Sequence, residues 1–283
     1  MHFNTMTSAS ERHSLEIRPL RTALDYANCI ALQHLIWGAD VEDTVPATIL
    51  KIAQEVGGVA AGAFDGQEMI GCVFGISGVR AGRLVHWSHM LAVREDYRDR
   101  AVGRRLKFYQ RESLIELGID TVFWTYDPLV ARNAHLNIVR LGAVVEEYVD
   151  DMYDMTPPTR TDSVIGSDRL VVRWHIGDSP TPEDPARCEH AMTAHIEIPS
   201  DIQSLKLTAA DEATEWRSST RRAFHKYLDL GYHVTDFVGD SEPPYYMLAR
   251  SLEGNGVETS NDSDTSLTDV QCGDARETHQ PAP

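Results

Sequence analysis

Apolar and polar positions along the chain switch between a two-residue and a 3.6-residue period, and the switches mark out the elements. Leu15–Leu20 reads as a strand stopped by Pro19. From Asp25 to Trp37 the residues Tyr26, Cys29, Ile30, Gln33, Ile36 and Trp37 recur at helical spacing, and Gly38 ends the run. Pro46 opens a second helix, PATILKIAQEVG. Two strands follow, VAAGAFD and EMIGCVFGISG, joined by the hairpin signal Asp65-Gly66. The apolar strand LVHWSHMLAV then runs through an arginine-rich loop into a helix, with Val102, Leu106, Tyr109 and Leu117 on one side and Gly118 past its end. IDTVFWTYD is a strand, ARNAHLNIVRLGA a short helix ended by Gly142, and VVEEYVDDMYD and RLVVRWHI two more strands.

The order over this first body is β-α-α-β-β-β-α-β-α-β-β, an α/β (α+β) pattern. Residues 1–14 are polar and expected to fray. Residues 15–176 form the main domain, and 177–190 are a linker by composition (GDSPTPEDPARCEH). Residues 191–250 form a smaller α/β unit with strands MTAHIEIP, YHVTDFVG and YYMLAR. Between them one helix is expected, with Ala213, Trp216, Thr220, Phe224, Tyr227 and Leu228 facing inward and Arg217 and Arg221 as a solvated row. Residues 251–283 are rich in Ser, Thr, Asp, Glu and Gly, and an acidic disordered tail is expected.

Charge narrows the function. The net charge of -17 argues against a general nucleic-acid binder, which needs basic surface. The tail accounts for part of it, and the rest of the chain is still about -11. Only Lys51, Lys107, Lys206 and Lys226 are lysines against 22 arginines, and an acid-rich, lysine-poor surface predicts stability that rises with salt. No apolar run approaches the ~18 residues of a membrane span, and the N-terminus lacks a secretory apolar segment, so the expected location is the cytoplasm. Cys29, Cys72, Cys188 and Cys272 are too widely spaced for a redox or zinc motif and are expected as free thiols, with no metal.

The chemistry concentrates in residues 84–118. A strand entering a loop that opens directly into a helix presents free N–H groups at a helix N-terminus, and Arg98, Arg100, Arg104 and Arg105 add positive charge. Such a stretch suits an anion. The loop Arg98-Asp99-Arg100-Ala101-Val102-Gly103 resembles the (Q/R)-x-x-G-x-(G/A) loop of the GNAT superfamily of acyl-CoA-dependent N-acyltransferases, and Ala131–Gly142 resembles its NxxAxxLYxKxGF segment through Ala134 and Gly142. Asp99 and Ala101 depart from the family's glycines, and the family's frequent Tyr acid falls on Ile138. Ala101 fits if its φ is negative, and Asp99 if it points to solvent or pairs with an arginine.

The resemblance implies a mixed central sheet flanked by helices, with the smaller C-terminal unit appended. It also implies acetyl-CoA or another acyl-CoA as cosubstrate. Its pyrophosphate would lie on the amides of Arg98, Arg100, Ala101, Val102, Gly103 and Arg104. Strand amides at Leu91, Ala92 and Val93, near a bulge, would polarise the thioester, and Asn133 or Asn137 would reach the pantetheine. The reaction would be direct attack by a small-molecule or protein amine, needing a base and an acid.

His86 and His89 are candidate bases; three apart on a strand, they face opposite sides. Ser88 is expected to share a face with His86, Met90 and Ala92. Tyr126 is the replacement candidate for the acid, and Asp127 is either a further catalytic candidate or a turn residue before Pro128. Trp37, Asp40, Glu42 and Asp43 fall where the family forms acceptor pockets, and in a chain this acidic they read first as a solvated loop. Two other readings stand beside the enzyme: a non-catalytic acyl-CoA-binding or partner-binding module of the same fold, and a dimerisation platform assembling as a homodimer.

Overall fold

The computed structural model describes residues 15–38, 44–153, 165–177 and 191–251. The expectations for the N-terminus, for Asp40, Glu42 and Asp43, for Cys188 and Cys272, for the linker from residue 178 to 190 and for the tail from residue 252 lie outside the described residues. The chain divides into two compact units, one ending at Val122 and one beginning at Phe123.

In the first unit β1 (Glu16–Pro19), β2 (Val59–Asp65), β3 (Glu68–Arg80) and β4 (Arg83–Val93) lie side by side in chain order, each pair antiparallel. Three helices accompany them: α1 (Ala23–Trp37), α2 (Ala47–Glu55) and α3 (Val102–Ile115). α1 starts where the sequence allows a capping box. The Thr22 hydroxyl accepts from the Asp25 N–H, and the Asp25 carboxylate accepts from the Thr22 N–H. The Arg18 guanidinium donates to both Asp25 oxygens, at 3.0 and 2.9 Å, and this ion pair holds the carboxyl well below the usual range.

Leu20, Cys29, Leu32, Leu50, Cys72, Phe74, Met90 and Ala92 form the core beneath α1 and α2. Cys72 belongs to it, whereas a Cβ on the neighbouring Gly71 would meet Leu106 and Val102 of α3. Alternation along β3 therefore puts α1 and α3 on opposite faces of the sheet. The buried face of α3 is Val102, Leu106, Lys107, Gln110 and Leu114. This corrects the expected stripe. Tyr109 lies off that row and is only half-buried, and Leu117 lies beyond the last turn, 51% exposed, before Gly118 turns the chain at φ 73°.

The second unit holds strands in the order β5 (Thr121–Tyr126), β7 (Arg169–His175), β6 (Val144–Val149), with β6 and β7 antiparallel, and a separate antiparallel sheet in the order β8 (Ala191–Glu197), β10 (Tyr245–Ser251), β9 (His233–Val238). α4 (Ala131–Ala134) continues as a π-helical stretch, His135–Arg140, and Gly142 ends it at φ 68°. The single helix expected after Pro199 is two, α5 (Ile202–Thr208) and α6 (Ala210–Asp229). The Asp201 carboxylate caps α5, and the chain breaks at Ala209, φ −148°.

α6 turns the expected face inward at Ala213, Thr220, Phe224 and Tyr227, but its buried side also takes in Arg217. Ala213, Arg217, Ser219, Thr220, Ala223, Phe224 and Tyr227 are buried, while Trp216 and Leu228 are half-buried. The expected solvated arginine row is wrong for a definite reason: carboxylates wait on the inner side. Arg217, with its side chain 3% exposed, donates Nη2 to both Asp127 oxygens at 2.9 and 2.8 Å. Arg221 pairs with Asp168 and Asp151, and the Tyr148 hydroxyl completes Asp168 at 2.6 Å. The architecture is α/β with sheets flanked by helices, and the element order through β7 is the predicted one.

Candidate functional site: the β4 bulge and the N-terminus of α3

β4 is not a regular strand. Its partner register runs Met90↔Phe74 and then Ser88↔Gly75, which leaves His89 as the extra residue of a β-bulge. The bulge switches the face of the strand. Met90 and Ala92 join the core under α1, while His86 and Ser88 bond to side chains of α3. The expectation that all four share a face fails because a bulge breaks the two-residue period. His86 is fully buried, and His89 is exposed with its ring edge-on to Phe74 at 6.1 Å.

Beneath α3 the sequence places a polar cluster that pattern reading missed. Lys107 Nζ donates to Ser88 Oγ at 2.7 Å and to Gln110 Oε1 at 3.4 Å. Gln110 Nε2 lies 3.0 Å from His86 Nε2, and Ser77 Oγ lies 3.0 Å from His86 Nδ1 and 2.6 Å from the Gly57 carbonyl oxygen. The directions are forced. The Ser77 hydroxyl donates to Gly57, so it accepts from the His86 Nδ1–H, and the bare His86 Nε2 accepts from Gln110. Burial, and then the neighbouring Lys107 charge, push the imidazole down to about 3, so it is neutral at pH 7. Burial pushes the Lys107 ammonium down to about 7. One signal was in the sequence: Lys107 stands three residues before Gln110 and seven before Leu114, on the buried side of the helix.

Past β4, the Arg94 N–H donates to the Ile70 carbonyl, and a 3-10 turn, Glu95–Tyr97, leads to the loop. Arg94 pairs with Glu68 and Asp96, Arg98 with Glu95, and the Tyr97 hydroxyl donates to Asp65. Asp99 is exposed. Asp99 and Ala101 both adopt the left-handed conformation, at φ 61° and 59°. Ala101 is the residue before the first turn of α3, and no side chain caps the helix. The negative φ expected of Ala101 is therefore wrong: the alanine takes the backbone a glycine would take. Arg100 leans on the Tyr97 ring at 4.9 Å and Arg104 on the Phe108 ring at 5.2 Å, while Arg105 donates to the Leu15 carbonyl. The N–H groups of Val102, Gly103 and Arg104 at this end are the orphan donors of a helix start, and the macrodipole adds to their pull on an anion.

Comparison with known proteins finds likeness only in shape. No family model and no curated protein matches the chain. Among solved structures it is similar to the ribosomal-protein-S18-alanine N-acetyltransferase from Escherichia coli, at 17% identity over 59% of this chain and 97% of that one, TM-score 0.45. It is similar also to an acetyltransferase of the GNAT family from Streptococcus pneumoniae (17% identity, 58% and 100%, TM-score 0.46). An aminoglycoside 6'-N-acetyltransferase complexed with coenzyme A shows 14% identity over 59% and 99%, TM-score 0.45. These are remote likenesses, none of them above 17% identity.

Of the remaining candidates all but Trp37 lie in the second unit. The Tyr126 hydroxyl is buried beside the Tyr246 hydroxyl; burial raises its pKa and the Tyr246 contact offsets part of the rise. Asp127 is held by Arg217 and accepts from the Leu129 N–H, which is the turn geometry before Pro128. Asn137 is buried with its Oδ1 on Trp124 Nε1 at 3.1 Å, and Asn133 is half-buried. Trp37 is 39% exposed at the end of α1. Among the described residues no group of three His, Cys, Asp or Glu is placed to hold a metal, and no helix is long and apolar enough to cross a membrane. Cys29 and Cys72 are buried free thiols.

Proposed function

We propose that the chain is a GNAT-type acyltransferase that moves an acetyl or other acyl group from acyl-CoA to an amine, with residues 15–176 as its acyl-CoA-binding block. The observation that carries this reading is the uncapped N-terminus of α3, reached from a bulged β4 through two left-handed residues, Asp99 and Ala101. A loop that keeps a glycine's backbone on an alanine is held there by something other than local preference. An N–H cradle at a helix start, with two exposed arginines beside it, fits a diphosphate.

In this reading the amides of residues 101–104 bind the pyrophosphate and Arg100 and Arg104 add charge. Amides of Leu91–Val93, just past the bulge, polarise the thioester carbonyl. His89 is the base candidate, because His86 has both ring nitrogens engaged and stays neutral. Tyr126 is the acid candidate, its buried hydroxyl keeping its proton at pH 7. The acceptor is a small-molecule or protein amine.

The test is thiol release from acetyl-CoA and from longer acyl-CoAs across a panel of amines. Release that depends on the amine, and that falls in His89→Ala with coenzyme affinity kept, supports the enzyme. Asp127 is ion-paired and so is no free base, which favours a second reading, a non-catalytic acyl-CoA-binding module. Coenzyme binding with no thiol release from any amine selects it.

A further inference from the structure

α3 touches the bulged strand on both sides of the irregularity. Beyond the bulge it packs by apolar contact, since a Cβ on Gly71 would lie 3.2 Å from Leu106 and 3.3 Å from Val102. Before the bulge it is tied by hydrogen bonds, Lys107 to Ser88 at 2.7 Å and Gln110 to His86 at 3.0 Å. Ser88 is the residue immediately before the extra His89. Its partner Gly75 admits no side chain there: a Cβ would collide with His86 Nε2 and sit 2.6 Å from the Trp87 carbonyl oxygen. The strand is therefore shaped around this cluster.

We infer that Lys107 and Gln110 are positioning residues that fasten α3 to β4 just before the bulge. The helix end that takes the coenzyme phosphates and the strand amides that face the thioester then keep one fixed spacing. The inference rests on the acyl-CoA reading of the α3 N-terminus. Neither residue touches the coenzyme in it. Lys107 lies more than a turn into the helix and is 1% exposed, so it acts through Ser88 and the bulge. A bulge leaves its extra residue unpaired and disrupts the ladder locally, so the strand there is held less by its neighbour. Misplacing a catalytic donor by about 1 Å can cost about a hundredfold in rate.

The test uses Lys107→Met, which keeps chain length and removes the amine, and Ser88→Ala, a milder change that removes only the acceptor. Coenzyme A affinity is measured by calorimetry, and the infrared carbonyl band of bound acetyl-CoA, labelled with carbon-13 at the carbonyl, reports polarisation. Both variants should bind within about threefold of wild type, while the downshift of the carbonyl band expected in wild type should be lost. The double variant should lose no more of the downshift than Lys107→Met alone, because that change already breaks the bond to the Ser88 hydroxyl. A full downshift in both folded single variants overturns the inference. So does an affinity loss as large as the loss of polarisation, which would mean a merely structural role.

Amide exchange in the ligand-free protein separates this from failure of the acyl-CoA reading. If wild type binds no acetyl-CoA, that reading falls, and exchange at residues 88–90 decides the fastening. Exchange about tenfold faster in both variants supports it, and unchanged exchange overturns it.

Discussion

At Asp99 and Ala101 two residues with side chains hold φ of 61° and 59°, where an L-residue costs about 1–2 kcal/mol over glycine and Asp somewhat less. Ala101→Gly should therefore stabilise the protein by up to about 1 kcal/mol after glycine's extra unfolded-state freedom is subtracted. Urea denaturation checks this, and a loss of stability would mean the alanine makes a contact that outweighs its strain. His86 carries a second residue-scale prediction. Its folded pKa is depressed, so the unfolded chain binds the proton first. Stability from this group is complete above about 6.5 and is lost as pH falls towards about 3. Ring chemical shifts should remain those of neutral imidazole down to about pH 4; protonation near 6.5 would show that the ring is not desolvated.

At the scale of elements, strands and caps were legible in the sequence and the bulge was not. β2 was readable to the residue because small apolar residues end at the Asp65-Gly66 turn, and Gly118 and Gly142 end their helices at positive φ as expected. The bulge is a property of register against β3, so no pattern within LVHWSHMLAV marks it. Its effect was to put His86 and Ser88 on a face other than that of Met90 and Ala92. Lys107 was passed over and Arg217 misread for another reason: a long cation is usually solvated, and its buried partners come from elsewhere in the chain. Gly75→Ala tests the bulge. It should destabilise by about 1–3 kcal/mol or more, through the collision with His86 and the Trp87 carbonyl. Full stability would mean the strand relaxes without its present register.

For the molecule as a whole, buried charge and net charge pull in different directions. In the second unit Arg217 is nearly inaccessible, and it donates to Asp127 through Nη2. Asp127→Asn should cost about 3–5 kcal/mol by stranding that cation, whereas Arg217→Met, which removes the charge instead, should cost less. Thermal unfolding of both variants checks the order. Across the full chain the net charge of -17 predicts a melting temperature that rises with KCl; a flat response would remove self-repulsion as a factor.

The central claim is that the N-terminus of α3 binds a coenzyme A pyrophosphate, and Gly103 separates binding from folding there. An aspartate in the first turn of a helix favours the macrodipole, so Gly103→Asp should fold with at least wild-type stability. The same carboxylate should repel the diphosphate. The most direct measurement is thermal unfolding of wild type and Gly103→Asp with and without coenzyme A. At 100 times the dissociation constant, wild type should gain about 2.7 kcal/mol and Gly103→Asp nothing. No gain in wild type, or an equal gain in both, would contradict the account.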